Sequence, residues 1–206
     1  MPRSREVQAN QRARRHSARL RILDTTKALL ADHPWSEVSI QDIMSASGVS
    51  RTSFYRHFDD GQHLLLTLLE EVGHRTGAPA EKWLGATGDP VEALRAAVAE
   101  LVSVYETHGP ILQAIAEAAA QDSEIDAVYH QVAEGFVQTV AARIVIDVNA
   151  GASEVGDATE TARALVWMSE RYLAESLGRK PHSDLATVRT TMFEIWTRAV
   201  YGKLPS

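Results

Sequence analysis

The sequence predicts an all-α protein in two parts, an N-terminal three-helix unit followed by a larger helical bundle. Three observations predict it. Apolar residues recur at three- and four-residue spacing in almost every segment. Gly-, Pro- and Asp-containing turns punctuate those segments. No alternating run is long enough for a strand; Val145 to Val148 comes nearest. The reading divides the chain into a basic, disordered arm over 1–19, a first unit over 20–75 and a second over 76–206, with no internal repeat.

In chain order, Ile22, Leu23, Thr26, Leu29 and Leu30 mark a helix from about Ser17 that Pro34 ends. Ser39 suits an N-cap, with Asp42 three residues on completing an imperfect capping box, and Ile40, Ile43 and Met44 supply the apolar face. Gly48 can take the left-handed conformation that breaks one helix and starts another. Ser50 can cap the next, short helix, with Phe54 and Phe58 turned inward. A longer helix over about 61–75 carries Leu64, Leu65, Leu68, Leu69 and Val72. After Gly77-Ala78-Pro79 a boundary is expected over 76–89. Helical patterns then cover roughly 90–107, 109–121, 124–148, 157–177 and 184–201. They are separated by His108-Gly109-Pro110, Asp122-Ser123, the Gly151-to-Gly156 stretch and Lys180-Pro181.

Composition removes several function classes. The 206 residues are 45% hydrophobic and 23% charged, enough to bury a core. Without cysteine there is no disulfide framework, thiolate nucleophile or cysteine-ligated metal. No apolar run approaches a membrane span, and the start has no apolar signal core, so a cytoplasmic protein is expected. The histidines lack metal-ligand spacing, and neither a Gly-rich phosphate loop nor a nucleophile elbow occurs. The reading therefore assigns no catalytic residue, metal or cofactor.

Charge is distributed unevenly. Residues 1–21 hold seven arginines, among them Arg12, Arg14 and Arg15, against Glu6 alone, a balance of +6 in a chain of net charge −6; the remainder carries −12. An acidic body with one basic end admits a polyanion only there. A solubilising tail accounts for the same charges, and both readings stand on composition alone.

The stretch from Val49 to Phe58 sharpens the choice. Two short helices joined by a Gly-containing turn, behind a longer helix, form a helix-turn-helix unit. With Phe54 and Phe58 inward, Arg51, Thr52, Ser53, Tyr55, Arg56 and His57 cover the rest of the helix. Arg can donate to guanine and Thr can offer a methyl to thymine, while Tyr, Ser and His suit phosphate.

Residues 20–70 resemble the N-terminal domain of the TetR family of bacterial transcriptional repressors. The resemblance rests on Ile22-Leu23, Leu29-Leu30, Ser39-Ile40, Ile43, Gly48-Val49-Ser50, Phe54-Tyr55-x-His57-Phe58 and Leu64. It implies that Arg51, Thr52 and Arg56 read bases or lie near them, and that Ser50, Tyr55 and His57 fix the helix on phosphates. Ser39 and Ser53 are further expected contacts. One departure is evident: the family usually has a phosphate-gripping Lys three positions after the Phe matched by Phe58, where this chain has Gly61 behind Asp59 and Asp60. The Arg12, Arg14 and Arg15 arm is expected to take over part of that binding.

Beyond residue 90 the chain resembles the ligand domain of EthR-like members of the family, through Glu170-Arg171, Glu194-Ile195-Trp196, Val200-Tyr201-Gly202 and His108 before Ile111. The resemblance implies an apolar tunnel for a hydrophobic small-molecule effector. Positions expected to line it are Leu94, Ala97, Leu101, Tyr105, Ile111, Ile115, Phe136, Thr139, Val140, Val166, Ser169, Leu173 and Trp196. Val166 and Ser169 stand where relatives tend to have amide side chains. It further implies a homodimer through the helices near 157–177 and 184–201, presenting two recognition helices to double-stranded operator DNA. Two other classes compete on the residues alone. One is a helical adaptor whose basic arm binds an acidic partner protein. The other is a small enzyme using Glu170 beside Arg171, for which a structural salt bridge, or a buried pair near the pocket, is the simpler account.

Overall fold

Helix is the only regular secondary structure among residues 2–202, which the computed structural model describes, with side chains given from His16 onward. The α-helices are α1 (Pro2–Leu30), α2 (Ile40–Ser47), α3 (Arg51–Phe54), α4 (Gly61–Leu84), α5 (Pro90–Ala119), α6 (Ser123–Asn149), α7 (Ala158–Leu177) and α8 (Leu185–Tyr201), with one 3₁₀ turn at Trp35–Glu37. The chain divides into two units, Met1–Leu68 and Leu69–Ser206.

In the first unit, Ile22, Leu23, Ile43, Phe54, Phe58 and Leu64 are almost wholly buried. Their spacing on each helix supplies the inward stripe that short elements need, since α2 and α3 gain their stability from packing rather than propensity. Thr26 joins this core because its hydroxyl donates to the Ile22 carbonyl at 2.8 Å, leaving no donor unsatisfied. The bounds of α1 take in the stretch read as a disordered arm, whose Arg, Gln and Ala content favours helix. The side chains of Arg12, Arg14 and Arg15 lie outside the described residues.

In the second unit α5, α6, α7 and α8 pack on one another around a core that includes Val102, Ile115, Ile144, Leu173 and Met192. Two expected breaks are continuous helix instead. α4 runs through Gly77-Ala78-Pro79 to Leu84, and α5 runs through Gly109-Pro110 to Ala119. A proline inside a helix removes one N–H donor and kinks it, but packing can offset that cost.

Gly109 is there for space. A Cβ at that position would lie 2.6 Å from the Leu177 carbonyl oxygen, and at Gly178 a Cβ would lie 2.9 Å from the Gln113 Cβ. The pair lets α5 and the end of α7 approach more closely than any side chain permits. Arg179 pairs with Glu117 just beyond this contact.

The C-terminal end of α4 is held by a buried polar joint. Arg143 on α6 donates through Nε to both oxygens of Asp147, at 3.1 and 2.9 Å, and through Nη1 to the carbonyls of Trp83 and Ala86. Tyr201 donates to Asp147 Oδ2 at 2.7 Å. Arg143 and Asp147 are 4% and 3% exposed, so this charge pair depends on its full set of hydrogen bonds.

Candidate nucleic-acid interface and ligand cavity

Local rules shape the first unit's polar face. The Ser39 hydroxyl accepts from the Asp42 backbone N–H at 3.1 Å, and the Ser39 N–H donates to Asp42 Oδ2 at 3.0 Å, a complete capping box. The Ser39 hydroxyl also donates to Asp42 Oδ2, and that bond first, then the one from the Ser39 N–H, holds the Asp42 carboxyl below its ordinary pKa. Gly48 follows with φ 64°, the left-handed turn that α2 needs to end. Ser50 then caps α3, accepting from the Ser53 N–H at 3.3 Å.

The four-residue α3 continues into turns that bury Phe54 and Phe58 while Ser50, Arg51, Thr52, Tyr55 and Arg56 stay exposed. Ser53 and His57 are half-buried. The Arg51 guanidinium lies 5.6 Å from the Tyr55 ring centre, and Arg19 lies 5.7 Å from that of Phe58. Both contacts hold cations beside this face on aromatic rings.

The Asp59-Asp60-Gly61 sequence now has a physical account. Asp60 Oδ1 accepts from the His63 N–H at 2.8 Å and caps α4, where negative charge is favoured. Asp59 Oδ2 lies 3.3 Å from His63 Nδ1. At Gly61 a Cβ would lie 3.0 Å from the Trp35 ring, so the indole occupies the space a lysine stem would cross.

The second unit holds a cavity of about 100 Å³, where roughly 10–15 Å³ suffices for one water. Leu94, Ala97, Leu101, Tyr105, Phe136, Val140, Val166, Ser169 and Trp196 line it, as the sequence reading placed them. Four expected positions lie elsewhere. Ile111, Ile115 and Leu173 are packed into solid core, at 4%, 0% and 0% exposure. Thr139 falls off the α6 stripe of Tyr129, Ala133, Phe136 and Val140, and its hydroxyl donates to the Gly135 carbonyl of its own helix.

Leu69, Thr76, Pro79, Ala80 and Trp83 of α4 line the cavity too, as do Val98, Leu112, Tyr129, Val132, Ala133 and Glu170. Thr76, Pro79, Ala80 and Trp83 lie past the helix end that the sequence pattern predicts, and Leu69 sits on the predicted helix of the first unit. Trp83, a large aromatic in a supposed linker, was the available signal.

Ser169 is polar but internally committed. Its hydroxyl donates to the Leu165 carbonyl at 2.7 Å and accepts from Trp196 Nε1 at 2.9 Å. Trp196 in turn meets Trp83 edge to face, 5.9 Å between ring centres. Glu170 and Arg171 do not pair: Arg171 binds Glu175 at 2.8 Å on the outside, and Glu170 turns to the cavity. Adjacent helical residues point about 100° apart, so the two form neither of the expected arrangements, a salt bridge or a buried pair: Glu170 alone lies at the cavity. Burial pushes the Glu170 carboxyl above its ordinary pKa, against the opposing effects of Tyr129 and Arg171. Burial and the same carboxyl raise the Tyr105 and Tyr129 phenols. Among the described residues no cluster of acids and histidines could hold a metal ion, and no helix is long and apolar enough to cross a membrane.

An exposed, cation-bearing turn-helix face in one unit and an apolar cavity in another define a ligand-responsive, DNA-binding regulator of transcription. The profile of bacterial regulatory proteins of the tetR family matches residues 22–68, and that of the C-terminal domain of transcriptional regulator EthR matches residues 94–202. The chain therefore belongs to the TetR family, with a C-terminal domain of the EthR type. It is 29% identical to the HTH-type transcriptional regulator EthR of Mycobacterium tuberculosis over 89% of this chain and 87% of that one. For the Mycolicibacterium smegmatis EthR the identity is 26%, over 89% and 86%. Among solved structures, the TetR family regulator PfmR of Thermus thermophilus shares the fold with a TM-score of 0.72. It is 19% identical, over 90% of this chain and 99% of that one.

Proposed function

We propose that this chain is a repressor that binds a palindromic operator as a homodimer and releases it when a hydrophobic small molecule fills the cavity. The observation that carries the reading is the division of α3 and the turns that follow it: Phe54 and Phe58 are buried, while Arg51, Thr52, Tyr55 and Arg56 are exposed. In this reading Arg51, Thr52 and Arg56 face base edges, and Ser50, Tyr55 and His57 contact phosphates. Ser39 and Ser53 serve first as cap partners, leaving their backbone N–H groups committed to the protein. Pairing through α7 and α8 would set two copies of α3 about 34–36 Å apart, one turn of DNA. The affinity that DNA loses when an effector binds equals the effector's preference for the released state.

The test uses a DNA fragment from upstream of the protein's own gene, with binding followed by fluorescence anisotropy. Arg56→Ala should cost about 1–3 kcal/mol in specific binding. Deleting residues 1–15 should weaken binding sharply and lower the slope of log K against log salt by about 0.9 for each phosphate that the arm no longer neutralises. Unchanged affinity and slope after deletion would remove the arm from the binding site. Binding indifferent to Arg56→Ala would remove α3 from the reading.

A further inference from the structure

We propose that Glu170, with Tyr129 and Tyr105, forms a head-group site for a protonated amine on the cavity wall, so that the effector is an amphipathic amine. This rests on the reading of the cavity as the effector site.

Three observations lead there. Glu170 is the single carboxylic acid among the lining residues, which are otherwise aliphatic, aromatic or hydroxyl-bearing and include no Lys, Arg or His. The cation next to it in sequence, Arg171, is 70% exposed and bound to Glu175 rather than to Glu170. Tyr129 Oη is fully enclosed, faces the Glu170 carboxyl, and has no hydrogen bond of regular geometry.

A carboxylate in an apolar enclosure is costly unless a cation or donor meets it. The raised pKa of Glu170 reflects that cost. The cavity wall supplies no cation, so an ammonium group entering with an apolar tail would do so while the tail covers Val166, Phe136 and Val140. Such a ligand satisfies carboxylate and cavity together. Of the aliphatic hydroxyls on the wall, that of Ser169 is already occupied on both its donor and acceptor sides, and that of Thr76 donates to the Gly73 carbonyl at 3.0 Å.

The test is calorimetric titration of the full-length chain with 4-phenylbutylamine and with 4-phenylbutan-1-ol, which share a tail and differ in the head. The amine should bind about tenfold or more tightly than the alcohol, as charge-assisted hydrogen bonds imply. Glu170→Gln should abolish that preference and leave the alcohol within about twofold of wild type, while Tyr129→Phe should weaken the amine severalfold and spare the alcohol. Equal binding of the two compounds by wild type, or tighter binding of the alcohol, overturns the amine site and leaves the cavity reading standing. So does a preference that survives in both variants. Binding of neither compound overturns the effector-cavity reading and this inference together.

Discussion

The two units solve the placing of functional groups in opposite ways. In the first, the chemistry sits on an exposed face, and its scaffold is fixed by close neighbours in sequence: Ser39 with Asp42, Ser50 with Ser53, and Asp60 with His63. In the second, a cavity lies within the helical bundle, and its walls are held by partners far apart in the chain. Trp196 reaches Ser169, Arg143 reaches Trp83, and Tyr201 reaches Asp147. Capping rules act over three residues and can be read from a sequence, whereas a cavity exists only after the whole bundle has closed.

The comparison breaks first, and hardest, at Arg143. Arg143→Met leaves Asp147 buried without its cation and frees the Trp83 and Ala86 carbonyls, so the second unit should lose about 3–5 kcal/mol. Denaturant unfolding followed by Trp83, Trp167 and Trp196 emission in a Trp35→Phe background measures this. A loss below about 1 kcal/mol, the range of a surface pair, would show that the joint does not hold α4.

Gly61→Lys is next. It restores the basic residue usual in the family, but its Cβ must share space with the Trp35 ring, an overpacking cost of about 1–3 kcal/mol in the first unit. Trp35 emission should shift and unfold at lower denaturant. An unchanged midpoint would mean that the glycine is not making room for the indole. The smallest effect belongs to Ser39→Ala, which removes one side of the capping box and should cost about 1 kcal/mol, confined to the first unit. Hydrogen exchange at the Asp42 amide reads it directly: faster exchange there, with α5 to α8 unaltered, keeps the distinction between the units, and global acceleration erases it.

The same distinction explains what the sequence made legible. Ser39, Gly48, Ser50, Phe54 and Phe58 announced their roles because each obeys a rule of caps, turns or spacing. Leu94, Tyr105, Phe136 and Trp196 could be placed toward the cavity from helical periodicity together with the family resemblance. Periodicity did not separate an empty wall from solid core, which is why Ile115 and Leu173 were included and Tyr129 was not. Nor did it reveal that α4 continues through Pro79, since proline ends a helix by local rules and only tertiary packing overrides them. Gly61 is legible as a departure from the family; the Trp35 ring that crowds it lies far back in the chain, and their contact depends on the fold.

The close approach at Gly109 and Gly178 bears on how such a regulator can diversify. Neither position can acquire even a methyl group unless the backbone opposite gives way, so single-step substitution there meets a barrier on both sides at once. The spacing of α5 from the end of α7 is thereby withdrawn from gradual change. On the proposed reading, a change of effector must come from wall residues such as Val166 or Glu170, exchanged within a bundle whose spacing stays fixed.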